Sequence, residues 1–274
     1  MDFGAGADLN LRDNAEEEEM TKAQTFRALH VPGDPLVLPN AWDAASARLV
    51  EAAGFPVVAT SSNAMADVLG YPDGEQTPVE EVLAAVTRIV RAVGVPVTVD
   101  FERGYRLAPA ELVARIAATG AVGLNLEDSD PTTGKMVDAA AQATFLSAVR
   151  VSAAAAGVDL VINARTDSFL RRAGSPQEQL AASIERGKRY LEAGADCVYP
   201  IGAAGSDVIQ ALVEGIPGPV NIGYARGMPS LAQLAALAVA RVSFGPRLQR
   251  SLYDQFTTML STVASDDNLP GRLP

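Results

Sequence analysis

The sequence is short of the residues that most often bind metals or attack substrates: it has one cysteine, Cys197, and one histidine, His30. A single thiol excludes an intrachain disulfide framework, so the cytoplasm is the expected location. Cys197 lies within an apolar run and is expected to be a small buried residue. His30 precedes the first apolar run and is expected on the surface.

Long apolar runs and an excess of positive charge are also missing. No run reaches the roughly 20 apolar residues of a membrane-spanning helix, and the first residues lack the pattern of a secretory signal. The chain has 33 acidic against 22 basic residues and a net charge of -11, which disfavours contact with a phosphate backbone. We therefore expect neither a membrane nor a nucleic acid as a partner.

Much of the negative charge lies in residues 1–19, where acidic residues far outnumber the single arginine. This composition predicts a disordered acidic leader. We expect residues 20–274 to form a single domain with a C-terminal helical extension, because barrels of about 250 residues fold as one unit.

Short, nearly continuous apolar runs alternate with helical patterns along this domain, as is typical of parallel strands buried on both faces. The runs are Leu36–Leu38, Val57–Thr60, Val95–Val99, Val122–Leu126, Leu160–Ala164, Cys197–Pro200, Val220–Ile222 and Arg241–Phe244. This alternation predicts an α/β fold, a closed (β/α)₈ barrel. The alternative is an open doubly wound sheet, which is disfavoured because no glycine-rich dinucleotide motif follows any run.

Two helices have clear start signals in the sequence. Thr77, Pro78 and Glu80 predict a capping box at the start of a helix over residues 78–93. Ser175 and Glu178, on either side of Pro176, predict the same device at the start of a later helix.

Acidic residues follow the third and fourth runs, at the barrel end where active sites form. Asp100 and Glu102 are two residues apart, which predicts that they point to the same side of a strand. Together with Glu127 and the loop-borne Asp73 they could form an all-oxygen pocket for Mg²⁺ or Mn²⁺. The alternative is that these acids cap helices or pair with nearby arginines.

Polar residues near the same end are candidates for binding a substrate. The fork of Arg165 can hold a carboxylate, although it could also be a structural partner of acidic neighbours. Thr60, Ser61 and Ser62 could donate to an oxyanion, although such residues are also ordinary in turns. Asp100 and Asn221 complete the predicted substrate-binding set.

The polar segments occur in an order that resembles the isocitrate lyase/phosphoenolpyruvate mutase superfamily, from about Phe26 to Leu260. They are Pro39-Asn40-Ala41-Trp42-Asp43, Thr60-Ser61-Ser62, Gly70-Tyr71-Pro72-Asp73-Gly74, Val99-Asp100-Phe101-Glu102-Arg103-Gly104-Tyr105, Leu126-Glu127-Asp128 and Ala164-Arg165-Thr166-Asp167.

The resemblance implies a site for a small 2-oxo acid. By the family pattern Asp73, Asp100, Glu102 and Glu127 hold Mg²⁺, partly through water. The turn 60–62 binds the carboxylate and oxygen of the oxo acid, and Thr60 and Arg165 take the catalytic roles. The shared chemistry would be an enolate formed by cleavage of a C–C or C–P bond.

Three departures from the family pattern limit the reaction. Glu102 stands where the family usually has Asp, and Ile201 stands after Pro200 where a lyase would carry Glu. The loop 128–135 lacks the Cys and His that the lyases carry there. We therefore do not expect cleavage of isocitrate or 2-methylisocitrate, which depends on that thiol.

The function that we expect is a Mg²⁺-dependent lyase or decarboxylase acting on a pyruvate-, oxaloacetate- or 2-oxoglutarate-type acid or its aldol-type adduct. Two alternatives are a C–P bond enzyme, such as a phosphonomutase or phosphonopyruvate hydrolase, and a catalytically silent 2-oxo acid binder. The proton donor stays open among Tyr71, Lys135 and a metal-bound water.

The last helical pattern has an apolar stripe of Leu248, Leu252, Phe256, Met259 and Leu260. The stripe could close the chain's own barrel. In the superfamily, however, C-terminal helices commonly swap between subunits, so the resemblance implies a homo-oligomer, a dimer or more specifically a tetramer.

Overall fold

A computed structural model of the chain describes residues 20–172 and 174–264, so the predicted leader and the last ten residues lie outside the described part. The strands are β1 (Leu36–Leu38), β2 (Asn40–Ala41), β3 (Val58–Thr60), β4 (Val97–Asp100), β5 (Gly123–Glu127), β6 (Val161–Thr166), β7 (Cys197–Pro200), β8 (Asn221–Gly223) and β9 (Arg241–Ser243). The helices are α1 (Lys22–Ala28), α2 (Ala44–Ala52), α3 (Ser62–Leu69), α4 (Val79–Ala92), α5 (Pro109–Thr119), α6 (Ala139–Ala155), α7 (Pro176–Glu192), α8 (Ser206–Gly215), α9 (Leu231–Ala236) and α10 (Arg247–Ala264).

The strands form the predicted (β/α)₈ barrel. Parallel pairing runs from β2 through β7 in sequence order, and β8 pairs with β9, which pairs with β1. A parallel bridge between Val198 and Val220 joins β7 to β8, and β1 and β2 are two halves of one strand position on either side of Pro39. The ring is thereby closed, which confirms the barrel over the open sheet.

Alternation of side chains along the strands divides the core into two parts. Inside the barrel, Leu38, Ala59 and Val161 pack against Phe26 of α1, which fills the bottom of the ring. The opposite faces of the strands pack under the surrounding helices. Each predicted run therefore becomes a strand because both of its faces are buried.

One of the two predicted helix starts is confirmed and one is wrong. Ser175 and Glu178 form the reciprocal capping box at the start of α7. At α4 the N-cap residue is Pro78, and no side chain caps the helix. Thr77 lies one residue before this N-cap and is buried, so the predicted cap is not formed.

His30 lies beneath the barrel and is 7% exposed, so the expected surface position is wrong. Its Nδ1 lies 2.9 Å from the carbonyl oxygen of Phe26, and its Nε2 faces Nη1 of the buried Arg241 at 3.5 Å. The first contact assigns the ring proton to Nδ1, because a carbonyl can only accept. Burial, and then the charge of Arg241, lower the pKa of His30 to about 4.

The helix α10 begins on its own barrel but does not pack its apolar stripe there. Gln249 is buried and donates to the carbonyl of Ala64, while the five stripe residues are exposed, Phe256 by 54%. The alternative in which this stripe closes the chain's own barrel is therefore wrong. None of the helices in the described part is long and apolar enough to cross a membrane.

Candidate active site

A cleft of about 180 Å³ lies at the carboxyl ends of the strands. This is smaller than the roughly 300–1,000 Å³ of pockets for drug-sized ligands, so it suits a small one. Its polar lining comes from six strands, two helix starts and a loop: Asn40, Ser61, Ser62, Asn63, Asp73, Asp100, Asn125, Arg165, Tyr199, Ser243 and Arg250.

The carboxylate of Asp100, the last residue of β4, is held in the cleft by several hydrogen bonds. Its Oδ2 accepts hydrogen bonds from the backbone N–H and the hydroxyl of Ser62, at 3.0 and 2.9 Å. Its Oδ1 lies 3.4 Å from Nδ2 of Asn125. The hydroxyl of Thr60 accepts the backbone N–H of Asp100 at 2.9 Å. Thr60 therefore supports Asp100 from behind and is not among the residues that line the cleft.

Asp73 reaches the same cleft from the loop after α3, where Nδ2 of Asn63 donates to its carboxylate at 3.1 Å. Two carboxylates and nearby serine and asparagine oxygens form an oxygen-only donor set. Mg²⁺ is commonly held by one or two carboxylates and several waters, so these residues fit such an ion. Among the described residues no three acidic, histidine or cysteine side chains converge closely enough to hold an ion by themselves.

Glu102 does not line the cleft. The strand β4 ends at Asp100, and Glu102 has a left-handed backbone with φ 49°, so the expected same-side alternation is wrong here. Its carboxylate accepts the N–H of Glu75 and the hydroxyl of Tyr105, both at 2.6 Å. Burial raises the pKa of Glu102 to about 7, and the charges of Asp73 and Asp100 add to this effect against the hydrogen bond from Tyr105.

The carboxylate of Glu127 forms an ion pair with Arg165 on the next strand, with Oε2 of Glu127 2.5 Å from Nη1 of Arg165. Asp167 holds the same guanidinium, since Nε of Arg165 donates to its Oδ1 at 2.7 Å. Burial raises the pKa of Glu127, against the charge of Arg165. Burial is the main cause of the raised pKa values of Glu102 and Glu127, and neighbouring carboxylates add to it, so a bound cation would lower both.

Of the predicted substrate-binding residues, Ser61, Ser62, Asp100 and Arg165 come together in the cleft. Ser61 is the N-cap residue of α3, so the first turn of this helix lies at the cleft, and the positive end of the helix dipole there suits an anion. Asn221 is fully buried and lies below, with Nδ2 3.3 Å from the hydroxyl of Ser243. It therefore supports a lining residue instead of lining the cleft.

Six polar lining residues were missed by the sequence analysis: Asn40, Asn63, Asn125, Tyr199, Ser243 and Arg250. Strand alternation was a usable signal for Tyr199, because it lies two residues after the inward-facing Cys197. Arg250 carried no such signal, since it reaches the cleft from α10 and donates to Asn63 at 2.9 Å.

The other candidate proton carriers lie away from the cleft. The Tyr71 hydroxyl donates to Glu81 at 2.7 Å, and neither Tyr71 nor Lys135 is among the lining residues. Cys197 is fully buried, as expected, and burial raises the pKa of its thiol to about 12. Burial also raises the pKa of Tyr199, while Arg165 and a hydrogen bond with Ser243 act in the opposite direction.

Comparison with known proteins agrees with this barrel. The sequence profile of the phosphoenolpyruvate phosphomutase family matches residues 26–264. A Burkholderia cenocepacia J2315 protein provisionally assigned as a phosphonomutase has a solved structure with 41% identity and a TM-score of 0.84, covering 88% of this chain and 99% of its own.

Two further relatives have named activities. A 2-methylisocitrate lyase of Bacillus subtilis is 31% identical over 76% of this chain and 68% of its own length. A phosphonopyruvate hydrolase, solved with oxalate and Mg²⁺, is 25% identical with a TM-score of 0.80, covering 92% of this chain and 89% of its own.

The chain belongs to the phosphoenolpyruvate phosphomutase family, within the isocitrate lyase/phosphoenolpyruvate mutase superfamily. It is thereby an enzyme of a superfamily of lyases and mutases.

Proposed function

We propose that this protein is a Mg²⁺-dependent lyase or decarboxylase that acts on a small 2-oxo acid, or on its aldol-type adduct, through an enolate. The observation that carries the proposal is one small cleft in which Asp73 and Asp100 lie with Arg165 and the first turn of α3. Such a cleft offers oxygen ligands for a cation beside donors for an anion, which is what a chelating oxo acid requires.

Each lining group has a role in this proposal. Arg165 binds the substrate carboxylate, and its orientation is kept by Asp167. Ser61 donates to the oxo-acid oxygens. Ser62 donates both its hydroxyl and its backbone N–H to Asp100, so it acts with Thr60 to keep Asp100 in place. Asn221 holds Ser243 at the cleft wall.

Asp73 and Asp100 would hold the cation, and Glu102 and Glu127 add negative charge behind them. When bound, Mg²⁺, or Mn²⁺ in its place, supplies positive charge next to the oxygen on which the enolate charge develops. The complex of the related phosphonopyruvate hydrolase with Mg²⁺ and oxalate supports this assignment.

A C–P bond reaction is the second candidate, and two of the similar proteins favour it: the provisional phosphonomutase and the phosphonopyruvate hydrolase. The loop after β5 is held by contacts within the loop. Ser129 and Met136 form an antiparallel β-bridge, and the carboxylate of Asp130 accepts the backbone N–H of Thr132. Turnover of phosphonopyruvate would favour this candidate over C–C cleavage.

The proposal is tested by thermal shift and calorimetry with pyruvate, oxaloacetate, 2-oxoglutarate and oxalate, each with and without Mg²⁺. We expect stabilisation that needs both acid and metal, about 2.7 kcal/mol at 100 times the Kd. Asp100→Asn keeps the side-chain shape and should lose this stabilisation, whereas Asp207→Asn on the exposed start of α8 should keep it.

Two results would overturn the proposal. If Asp100→Asn binds acid and metal as the wild type does, the site is misplaced. If the wild type binds an oxo acid tightly but turns over none of a broad substrate panel, the chain is a silent binder and not an enzyme.

A further inference from the structure

The cleft contains a tyrosine whose position the fold controls closely. Tyr199 lies on β7, and its register partner on the neighbouring strand is Arg165. Both side chains line the cleft together with Asp100. Tyr199 is 6% exposed, so its ring is held within the barrel mouth.

The glycine on the other side of Tyr199 leaves room for its hydroxyl. A Cβ atom at Gly223 would lie 2.6 Å from Oη of Tyr199 and 3.4 Å from two of its ring carbons. Gly223 does not have the left-handed backbone that favours glycine, so space and not backbone conformation accounts for it. Glycine within a strand often marks such a close approach.

Tyr199 also differs chemically from the other groups in the cleft. Among the lining residues there is no histidine, cysteine or lysine. Asp73 and Asp100 are committed to the cation, and Arg165 and Arg250 do not release protons. The serine hydroxyls are much weaker acids than a phenol. Tyr199 is therefore the lining residue best able to donate a proton and take it back.

We propose that Tyr199 is the general acid–base of this site, a role that rests on the function proposed above. The O–H bond of Tyr199 breaks as a C–H bond forms at the enolate carbon, using the enolate C=C electron pair and restoring the C=O bond of the oxo acid. The resulting tyrosinate regains its proton from water, or from the hydroxyl of an adduct whose C–C bond is about to break.

Exchange of the pyruvate methyl protons for deuterium in D₂O with Mg²⁺, followed by NMR, isolates this step, because it requires only enolisation and reprotonation. Tyr199→Phe should slow exchange by at least about 100-fold, the lower end for a general acid–base. Its affinity for oxalate with Mg²⁺ should stay within a few-fold of wild type. The matched control is Tyr224→Phe. Tyr224 is the next residue after Gly223, its ring packs at a tilt against Phe244, and it does not line the cleft.

Gly223→Ala provides a second test. In the wild-type background the added methyl group meets the Tyr199 hydroxyl, so both exchange and the melting temperature should fall. In the Tyr199→Phe background the closest contacts are ring carbons at 3.4 Å, so the same alanine should cause little further loss of either. Equal losses of melting temperature in both backgrounds would contradict the idea that Gly223 makes room for the hydroxyl.

The outcomes separate this inference from the proposed function. If wild-type protein binds neither oxalate nor pyruvate with Mg²⁺, the proposed function fails and the inference fails with it. If oxalate binds but Tyr199→Phe exchanges pyruvate protons at the wild-type rate, only the assignment of Tyr199 is overturned. Binding of oxalate without any wild-type exchange would likewise overturn the assignment of Tyr199 alone.

Discussion

Arg165 and Glu127 are register partners on β6 and β5, and their charged groups meet at 2.5 Å at the edge of the cleft. Asp167 holds the other side of the guanidinium and is itself fixed by the hydroxyl of Ser129 at 2.7 Å. Burial works against the charge of Arg165, but Glu127 and Asp167 outweigh it and raise its pKa. Both interpretations of Arg165, structural partner and ligand for a carboxylate, are therefore compatible with one geometry.

Replacing this arginine should affect stability and binding together. Arg165→Ala leaves the buried Glu127 without its counter-charge and leaves Asp167 with only the more distant Arg171, at 3.6 Å. Removing one partner of a buried pair costs about 3–5 kcal/mol. We expect the free energy of unfolding in urea to fall by about this amount. Arg165→Lys keeps the charge and should lose less stability, but it lacks the planar fork and should still weaken oxalate binding.

Arg189→Ala is the matched control for Arg165→Ala. Its guanidinium pairs with Glu185 one turn away on the exposed face of α7, and exposed pairs are worth about 0–1 kcal/mol. Equal losses in the two variants would contradict a structural role for the pair at the cleft. Unchanged oxalate binding in Arg165→Lys would contradict the substrate role.

The buried thiol leads to a prediction about the reaction. Cys197 faces the barrel interior below the cleft, and burial raises its pKa to about 12, so little thiolate forms at neutral pH. We expect Cys197→Ser to leave turnover of the true substrate unchanged. We also expect no cleavage of isocitrate or 2-methylisocitrate at an enzymatic rate.

Both parts are measured by coupled assay of glyoxylate and pyruvate release. A robust turnover of either tricarboxylic acid, on the order of 10 s⁻¹, would show that another group replaces the missing thiol loop. Loss of that turnover in Cys197→Ser would identify Cys197 itself as the group.

The barrel could be predicted from the sequence because its strands are buried on both faces and stand out as continuous apolar runs. All eight strand positions were found this way, although the first is split at Pro39. Asp100, Arg165 and Ser62 could be placed in the cleft for a related reason. They lie at strand ends or at the first helix turn after a strand, where direction follows from alternation.

The side chains that were misplaced depend on details that alternation does not describe. Glu102 turns away because the strand stops two residues earlier and the backbone becomes left-handed. The hydroxyl of Thr60 accepts the backbone N–H of Asp100, and Thr60 does not line the cleft. His30 is buried because α1 covers the bottom of the barrel, a long-range contact that leaves no periodic pattern near His30 in the sequence.

His30 predicts how stability changes with pH. Above pH 6.5 the ring is neutral in both the folded and unfolded chain, so it contributes nothing. As the pH falls towards 4, His30 becomes protonated in the unfolded chain but stays neutral in the folded chain. The free energy of unfolding therefore decreases. The loss approaches about 3 kcal/mol, at about 1.4 kcal/mol for each unit of pKa difference.

His30→Gln removes this titration and should flatten the decrease between pH 6.5 and 4, measured by urea unfolding at each pH. Because the chain has a single histidine, an NMR titration of its ring is unambiguous. A ring that titrates near pH 6.5 in the folded protein would contradict the buried neutral state.

The exposed stripe of α10 predicts a homo-oligomer. Leu252 and Phe256 are about half exposed, and Leu248 and Leu252 border a hollow of about 440 Å³ whose other wall includes Leu49 and Phe55. An apolar helix face beside an apolar hollow can bury both through exchange of the helix between two copies, at low cost for a closed dimer. We expect light scattering at micromolar concentration to give a mass well above the 28.5 kDa of one chain, and a tetramer if two such dimers associate.

Phe256→Glu should shift the mass towards one chain, because it places a charge in the face that the exchange buries. Val151→Glu, on the exposed side of α6, is the control and should leave the mass unchanged. A wild-type mass of one chain would reject the exchange and leave the stripe without a partner.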